Sequence, residues 1–115
     1  IRLDLDVEPF DVPERDAAAL ALLVNELVTN ALRHAFPDGR KGRVSISARR
    51  SEGAARLTVE DDGVGLAAAA AASGEGFGRT LAEMLARQLK AELRWEDAAP
   101  GTRAVLVLGR TAERA

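Results

Sequence analysis

The 115-residue, 12.2 kDa chain has room for one modest core, and its 47% hydrophobic content leans on Ala, Leu and Val, with three Phe, one Trp and no Tyr. Sixteen Lys and Arg against 18 Asp and Glu leave a formal charge of -2, without the basic excess of a nucleic-acid binder, and no apolar run reaches the ~18–20 residues that span a bilayer. The absence of Cys excludes disulfides, thiolate zinc sites and Cys nucleophiles and fits a reducing compartment, while a single His excludes multi-His metal cages and two-His mechanisms.

The chain opens with Ile1, Leu3, Leu5 and Val7 alternating with Arg2, Asp4 and Asp6, the period of a half-buried strand. It carries no initiator Met and no signal-peptide pattern, so a fragment of a longer protein is expected. Pro9 and Pro13 close that strand, and over residues 16–35 the period changes to that of a helix. There Leu20, Leu23, Val24, Leu27, Val28, Ala31 and Leu32 build one apolar face. Pro37-Asp38-Gly39 ends the helix. Val44, Ile46 and Ala48 mark a second strand and Leu57-Thr58-Val59 a third, joined as an antiparallel hairpin through Ser51-Glu52-Gly53.

A Gly-punctuated acidic loop follows, then six Ala over residues 67–72, then a second amphipathic helix over about residues 78–90 carrying Leu81, Met84, Leu85 and Leu89. Leu93 and Trp95 predict a fourth strand, residues 98–101 a turn, and residues 102–108 a fifth strand. The order predicts an α/β fold: a two-layer α/β sandwich with helices on one face of a mixed, mostly antiparallel sheet. One domain is expected over residues 1–109, with residues 110–115 a polar tail.

Four places could carry chemistry. On the first helix, Glu26, Asn30, Arg33 and His34 share one broad side, where oxygen ligands suit a hard cation and a guanidinium suits phosphate. Asp61-Asp62-Gly63-Val64-Gly65 closes a strand, with an Asp able to accept from an amine and glycines that let a ligand approach the backbone. Gly74-Glu75-Gly76-Phe77-Gly78 opens the second helix, whose N-terminal N–H groups suit phosphate. Gly101-Thr102 precedes the last strand. Five of the ten Gly fall between Gly63 and Gly78. Taken singly, each place is equally an ordinary solvated face or turn.

Their combination and order resemble the four boxes of the GHKL superfamily of ATPases, which unites gyrase-type, Hsp90-type, MutL-type and histidine-kinase ATP-binding domains. The wording of residues 24–37, Val-Asn-Glu-Leu-Val-Thr-Asn-Ala-Leu-Arg-His-Ala-Phe-Pro, resembles the N box of sensor histidine kinases of the HisKA_2 group. The related HWE group carries a Trp-x-Glu motif before its last glycine box, whereas Trp95 lies after the glycine box here.

The resemblance implies the Bergerat fold and phosphoryl transfer from MgATP to a histidine on a separate dimerisation domain. It assigns Asn30 to the Mg²⁺ that bridges the phosphates, Arg33 to the phosphates and His34 to a position facing the nucleotide. Asp61 falls to the adenine amine, Gly63 and Gly65 to the loop beside it, Gly76 and Gly78 to the phosphate side, and Thr102 to the neighbourhood of the base. Glu26 corresponds to the water-activating Glu of hydrolytic relatives and takes a supporting role here. The implied partners are the phosphoacceptor helices of the parent kinase and a response regulator, with no nucleic acid and no membrane contact by this fragment. A cytoplasmic location is expected, whether the parent is soluble or membrane-tethered. Two other readings share these boxes: an anti-sigma-factor-type serine kinase, and a degenerate module that docks or transfers phosphate without ATP. Only eight residues, 66–73, separate the two glycine-rich segments; six are Ala and none is cationic.

Overall fold

The alternating segment at the start of the chain forms strand β1, Arg2–Val7, and the following apolar-periodic segment forms helix α1, Glu14–His34. The computed structural model describes residues 1–34, 42–51, 53–63, 77–98 and 101–108, the side chains of His34, Ser51 and residues 77–80 excepted. Helix α1 begins directly after Pro13, whose carbonyl accepts the Asp16 N–H at 2.8 Å. Glu14 and Asp16 set negative charge in its first turn, where unpaired N–H groups make the helix end positive.

The remaining elements among the described residues are β2 (Arg43–Ser51), β3 (Ala54–Asp61), α2 (Phe77–Gln88), β4 (Glu92–Asp97) and β5 (Thr102–Leu108). Among the described residues the predicted order holds. The second helix ends two residues before its predicted end, because Lys90 turns left-handed at φ 57°.

The sheet runs β1-β2-β3-β5-β4. β1 and β2 are parallel, as a strand–helix–strand crossover requires, and the other three pairs are antiparallel. Register places Val44, Ile46 and Ala48 beside Asp61, Val59 and Leu57, then Ala104 and Leu106, then Trp95 and Leu93. This face meets Leu23, Leu27 and Ala31 of α1 and Ala82, Leu85 and Ala86 of α2 in one core. Leu23, Val44 and Leu106 are fully enclosed. The many Ala on the helix faces fill this layer at little side-chain entropy cost. On the opposite face, Arg103 donates to Glu60 at 3.0 Å and to Glu96 at 3.1 Å, linking three strands. Such part-exposed pairs contribute about 0–1 kcal/mol each.

Strand β1 is not half-buried, contrary to what its alternation predicts: Leu3, Leu5 and Val7 are 54%, 66% and 53% exposed. They align with Val44, Ile46 and Ala48 on the helix side. The helices, however, lie chiefly over β2, β3 and β4, so the edge strand projects beyond their cover.

The end of α2 has a Schellman pattern, with Ala91 N–H donating to the Ala86 carbonyl at 2.9 Å and Lys90 N–H to the Arg87 carbonyl at 3.0 Å. Glycine normally takes the left-handed position that Lys90 occupies. Lys90→Gly should raise unfolding stability by on the order of 1 kcal/mol, seen as a higher urea midpoint at unchanged slope.

Candidate functional site

The topology collects the described parts of the predicted boxes at one end of the sandwich. Because β1 and β2 are parallel, α1 must run back, so its C-terminal turns, with Asn30 and Arg33, lie by the start of β2. Antiparallel pairing sets Val44, at the start of β2, against Asp61, at the end of β3. The β3–β5 register ends at Glu60 opposite Arg103, one step from Asp61 and Thr102. A short connection joins the end of α2 to the start of β4, so the helix runs back and its N-terminal turn, with Gly78, points toward that same end.

Asp61 is the centre of this end. Its register puts it on the helix-facing side, and it is 6% exposed, the single buried charged side chain among the described residues. Its Oδ1 accepts two main-chain N–H groups, from Gly63 at 2.8 Å and from Thr102 at 3.3 Å. Neither bond uses Oδ2. Burial pushes the Asp61 carboxyl above the ordinary carboxylate range, the two N–H groups pull it back, and the charges of Asp62 and Glu60 add to the rise.

The flanking acids are engaged elsewhere. Glu60 pairs with Arg103 on the opposite face of the sheet. Asp62 accepts the Arg43 N–H at 2.8 Å, and its own N–H donates to the Arg43 carbonyl at 3.2 Å. This reciprocal pair ties the acidic loop to the start of β2. The sequence held no signal for it, because the partners lie 19 residues apart and one acts through its backbone.

Asn30 continues the buried stripe of Leu23 and Leu27, and its Nδ2 is buried without a hydrogen-bond partner among the described residues. A core amide left so is costly, about 1–3 kcal/mol, unless a ligand completes it. Glu26 is half-buried one turn earlier, and Arg33 is exposed. Gly63 is buried, with its N–H on Asp61. Gly78 is the second residue of α2. Gly65, Gly76 and the side chain of His34 lie outside the described residues, as do the Ala run and the polar tail. Among the described residues no group of three or more His, Cys, Asp or Glu could hold a metal by itself.

The structure adds Gly101, which the sequence flagged only as half of a dipeptide. Its φ is 100°, and a Cβ built there would stand 1.8 Å from the Asp61 carbonyl oxygen and 2.9 Å from the Asp62 Cα. No side chain fits between these segments.

The direction of the Asp61 shift sets a pH dependence. A carboxyl whose native pKa is raised contributes favourably where it is protonated, and that contribution is lost as pH rises through its native titration. Asp61→Asn keeps an oxygen acceptor and removes the buried charge. Its melting temperature relative to the parent should therefore become more favourable from pH ~4 to pH ~7. A relative melting temperature flat over that range would show that burial does not dominate.

The geometry agrees with comparison to known proteins. Residues 15–112 match the family described as histidine kinase-, DNA gyrase B-, and HSP90-like ATPase. Blue-light-activated histidine kinase 2 of Erythrobacter litoralis is 36% identical over 104 residues, covering 89% of this chain and 30% of that protein. A solved blue-light activated histidine kinase from Erythrobacter litoralis superposes with a TM-score of 0.83 at 32% identity, over 98% of this chain and 36% of that one. The anti-sigma F factor of Geobacillus stearothermophilus is 37% identical over 60 residues, covering 52% of this chain and 41% of that protein. The chain thus spans about a third of the length of these two blue-light histidine kinases. With most of its length matched, the chain belongs to the histidine kinase-, DNA gyrase B-, and HSP90-like ATPase family.

Proposed function

We propose that this chain is the ATP-binding catalytic domain of a two-component sensor histidine kinase of the HisKA_2 group. It binds MgATP and presents the γ-phosphoryl to a histidine on a separate dimerisation domain. The observation that carries this reading is Asp61: a buried carboxylate without a cationic partner among the described residues, held by two N–H groups on one oxygen. The other oxygen suits the exocyclic amine of adenine.

The residues fit a divalent cation as well. Half-buried Asn30, its Nδ2 buried and unpartnered among the described residues, offers Oδ1 to Mg²⁺ and Nδ2 to a phosphate or water oxygen. The bound cation would supply charge neutralisation on the phosphates. Arg33, exposed at the end of α1, contributes a cation at the phosphate end, and Glu26 orders the water around Asn30. Gly65, Gly76 and His34 are assigned to the nucleotide on the family resemblance.

In the transfer a P–N bond forms to the acceptor imidazole and the bond from phosphorus to the ADP oxygen breaks. This domain contributes positioning and electrostatics. The acceptor helices and a response regulator are therefore the expected partners. No helix among the described residues is long and apolar enough to cross a membrane.

Similarity to an anti-sigma factor motivates a second reading, a serine kinase acting on a partner protein. That similarity covers 52% of the chain, against 89% for the blue-light kinase.

Calorimetric titration of MgATP into the chain should show saturable binding, weakened about tenfold or more, or ~1.4 kcal/mol, by Asn30→Ala and by Asp61→Asn. Failure of the unsubstituted chain to bind under ample Mg²⁺ would overturn the proposal. Joined to the parent's phosphoacceptor domain, the chain should form acid-labile, base-stable phosphate on a histidine. Acid-stable phosphate on a serine would favour the second reading.

A further inference from the structure

Three consecutive acids end β3 and its loop, and each meets different chemistry. Glu60 has the Arg103 guanidinium and Asp62 has the main chain of Arg43, while Asp61 has two N–H groups, both on Oδ1. One of those N–H groups belongs to Thr102, 41 residues away at the start of β5. It arrives there by an exception in the ladder. The β3–β5 register stops at Glu60 opposite Arg103, and at the next step Thr102 N–H is spent on the Asp61 side chain.

That bond needs β5 to enter unusually close to Asp61. The close entry is made at Gly101, at φ 100°, where a Cβ would overlap the Asp61 carbonyl oxygen at 1.8 Å and its carbon at 2.6 Å. L-residues with side chains rarely hold that φ, and here the space is filled by backbone, which cannot swing aside. The Gly101 carbonyl also accepts the Ala98 N–H at 2.9 Å, fixing the turn from its other side.

We propose that Gly101 and the main-chain N–H of Thr102 are positioning elements for nucleobase selection: they hold Asp61 by Oδ1 so that Oδ2 is presented to the exocyclic amine of adenine. This rests on the adenine assignment made above. It places the contribution of Thr102 in its backbone rather than its hydroxyl, and it gives Gly101 a role in specificity that its bare side chain conceals. Orientation by two N–H groups on one oxygen leaves the other oxygen as an acceptor. A base bearing a carbonyl where adenine bears its amine would set oxygen against oxygen.

The discriminating quantity is the ratio of affinities for ATP and inosine triphosphate, which carries a carbonyl in place of the amine; a purely structural role would not move this ratio. Thr102→Pro removes the N–H at the first residue of a strand, a place where proline is tolerated. It should lower the ATP preference about tenfold, the scale of one hydrogen bond to a charged group. Gly101→Ala should lower the preference likewise. Thr102→Ala keeps the N–H and should keep the ratio, whatever its effect on absolute affinity.

Loss of preference in Asp61→Asn and in Thr102→Pro together supports the proposal. Loss in Asp61→Asn with the ratio intact in a folded Thr102→Pro overturns it while leaving the adenine assignment standing. An intact ratio in Asp61→Asn overturns the adenine assignment itself. Amide NMR on the unsubstituted chain needs no variant to fold: the Thr102 and Gly63 amide resonances should both follow the Asp61 carboxyl titration. A Thr102 resonance that ignores it also overturns the proposal.

Discussion

The rest of the molecule is arranged around one close approach, where the backbone at Gly101 lies against the backbone of Asp61. A sheet can bring two strand ends together only as near as their side chains permit, and here one partner has none. The result is a carboxylate inside the helix–sheet layer, gripped by N–H groups from two separate segments. The described residues assigned to the nucleotide lie toward that same end of the sheet: the end of β3, the start of β5, the last turns of α1 and the first turn of α2.

Charge is sorted by the sheet. On the solvent face, acids and arginines neutralise one another across strands, with Arg103 bridging Glu60 and Glu96 and Arg49 pairing with Asp6. On the helix face Asp61 is the one buried charge among the described residues, so it stands in a medium that disfavours ionisation. Two polar groups are thus held in the core layer at a cost, the Asp61 carboxylate and the Asn30 amide. Asp61 is partnered only through Oδ1, and the Asn30 Nδ2 has no partner among the described residues. Under the proposed function, a purine amine and a hydrated cation with its phosphates would complete that pair.

Much of this was legible in the chain. Periodicity alone located the two helices and five strands of the described residues, because a 3.6-residue apolar stripe and a two-residue alternation are direct consequences of how each element buries a face. The hairpin turns were legible too, with Gly53 and Gly101 both left-handed where turns were expected. Burial of β1 was not, because alternation reports which face a strand offers and not whether anything covers it. Leu3 and Leu5 alternate as a core strand would and remain exposed at the sheet edge. The left-handed Lys90 was equally invisible, since the residue type argues for the opposite backbone.

The sequence by itself determined the elements, their order and the residue types available for nucleotide chemistry, since these follow from local spacing and side-chain character. Only the tertiary structure decided that Asp61 is the buried acid among Glu60, Asp61 and Asp62, and that Thr102 acts on it through an N–H. It likewise decided that Gly101 makes room and that Arg43 holds Asp62. The physical reason is that each of these depends on strand register and on backbone groups brought together from distant positions. Backbone groups are the same at every residue, so a sequence carries no mark of which ones will meet.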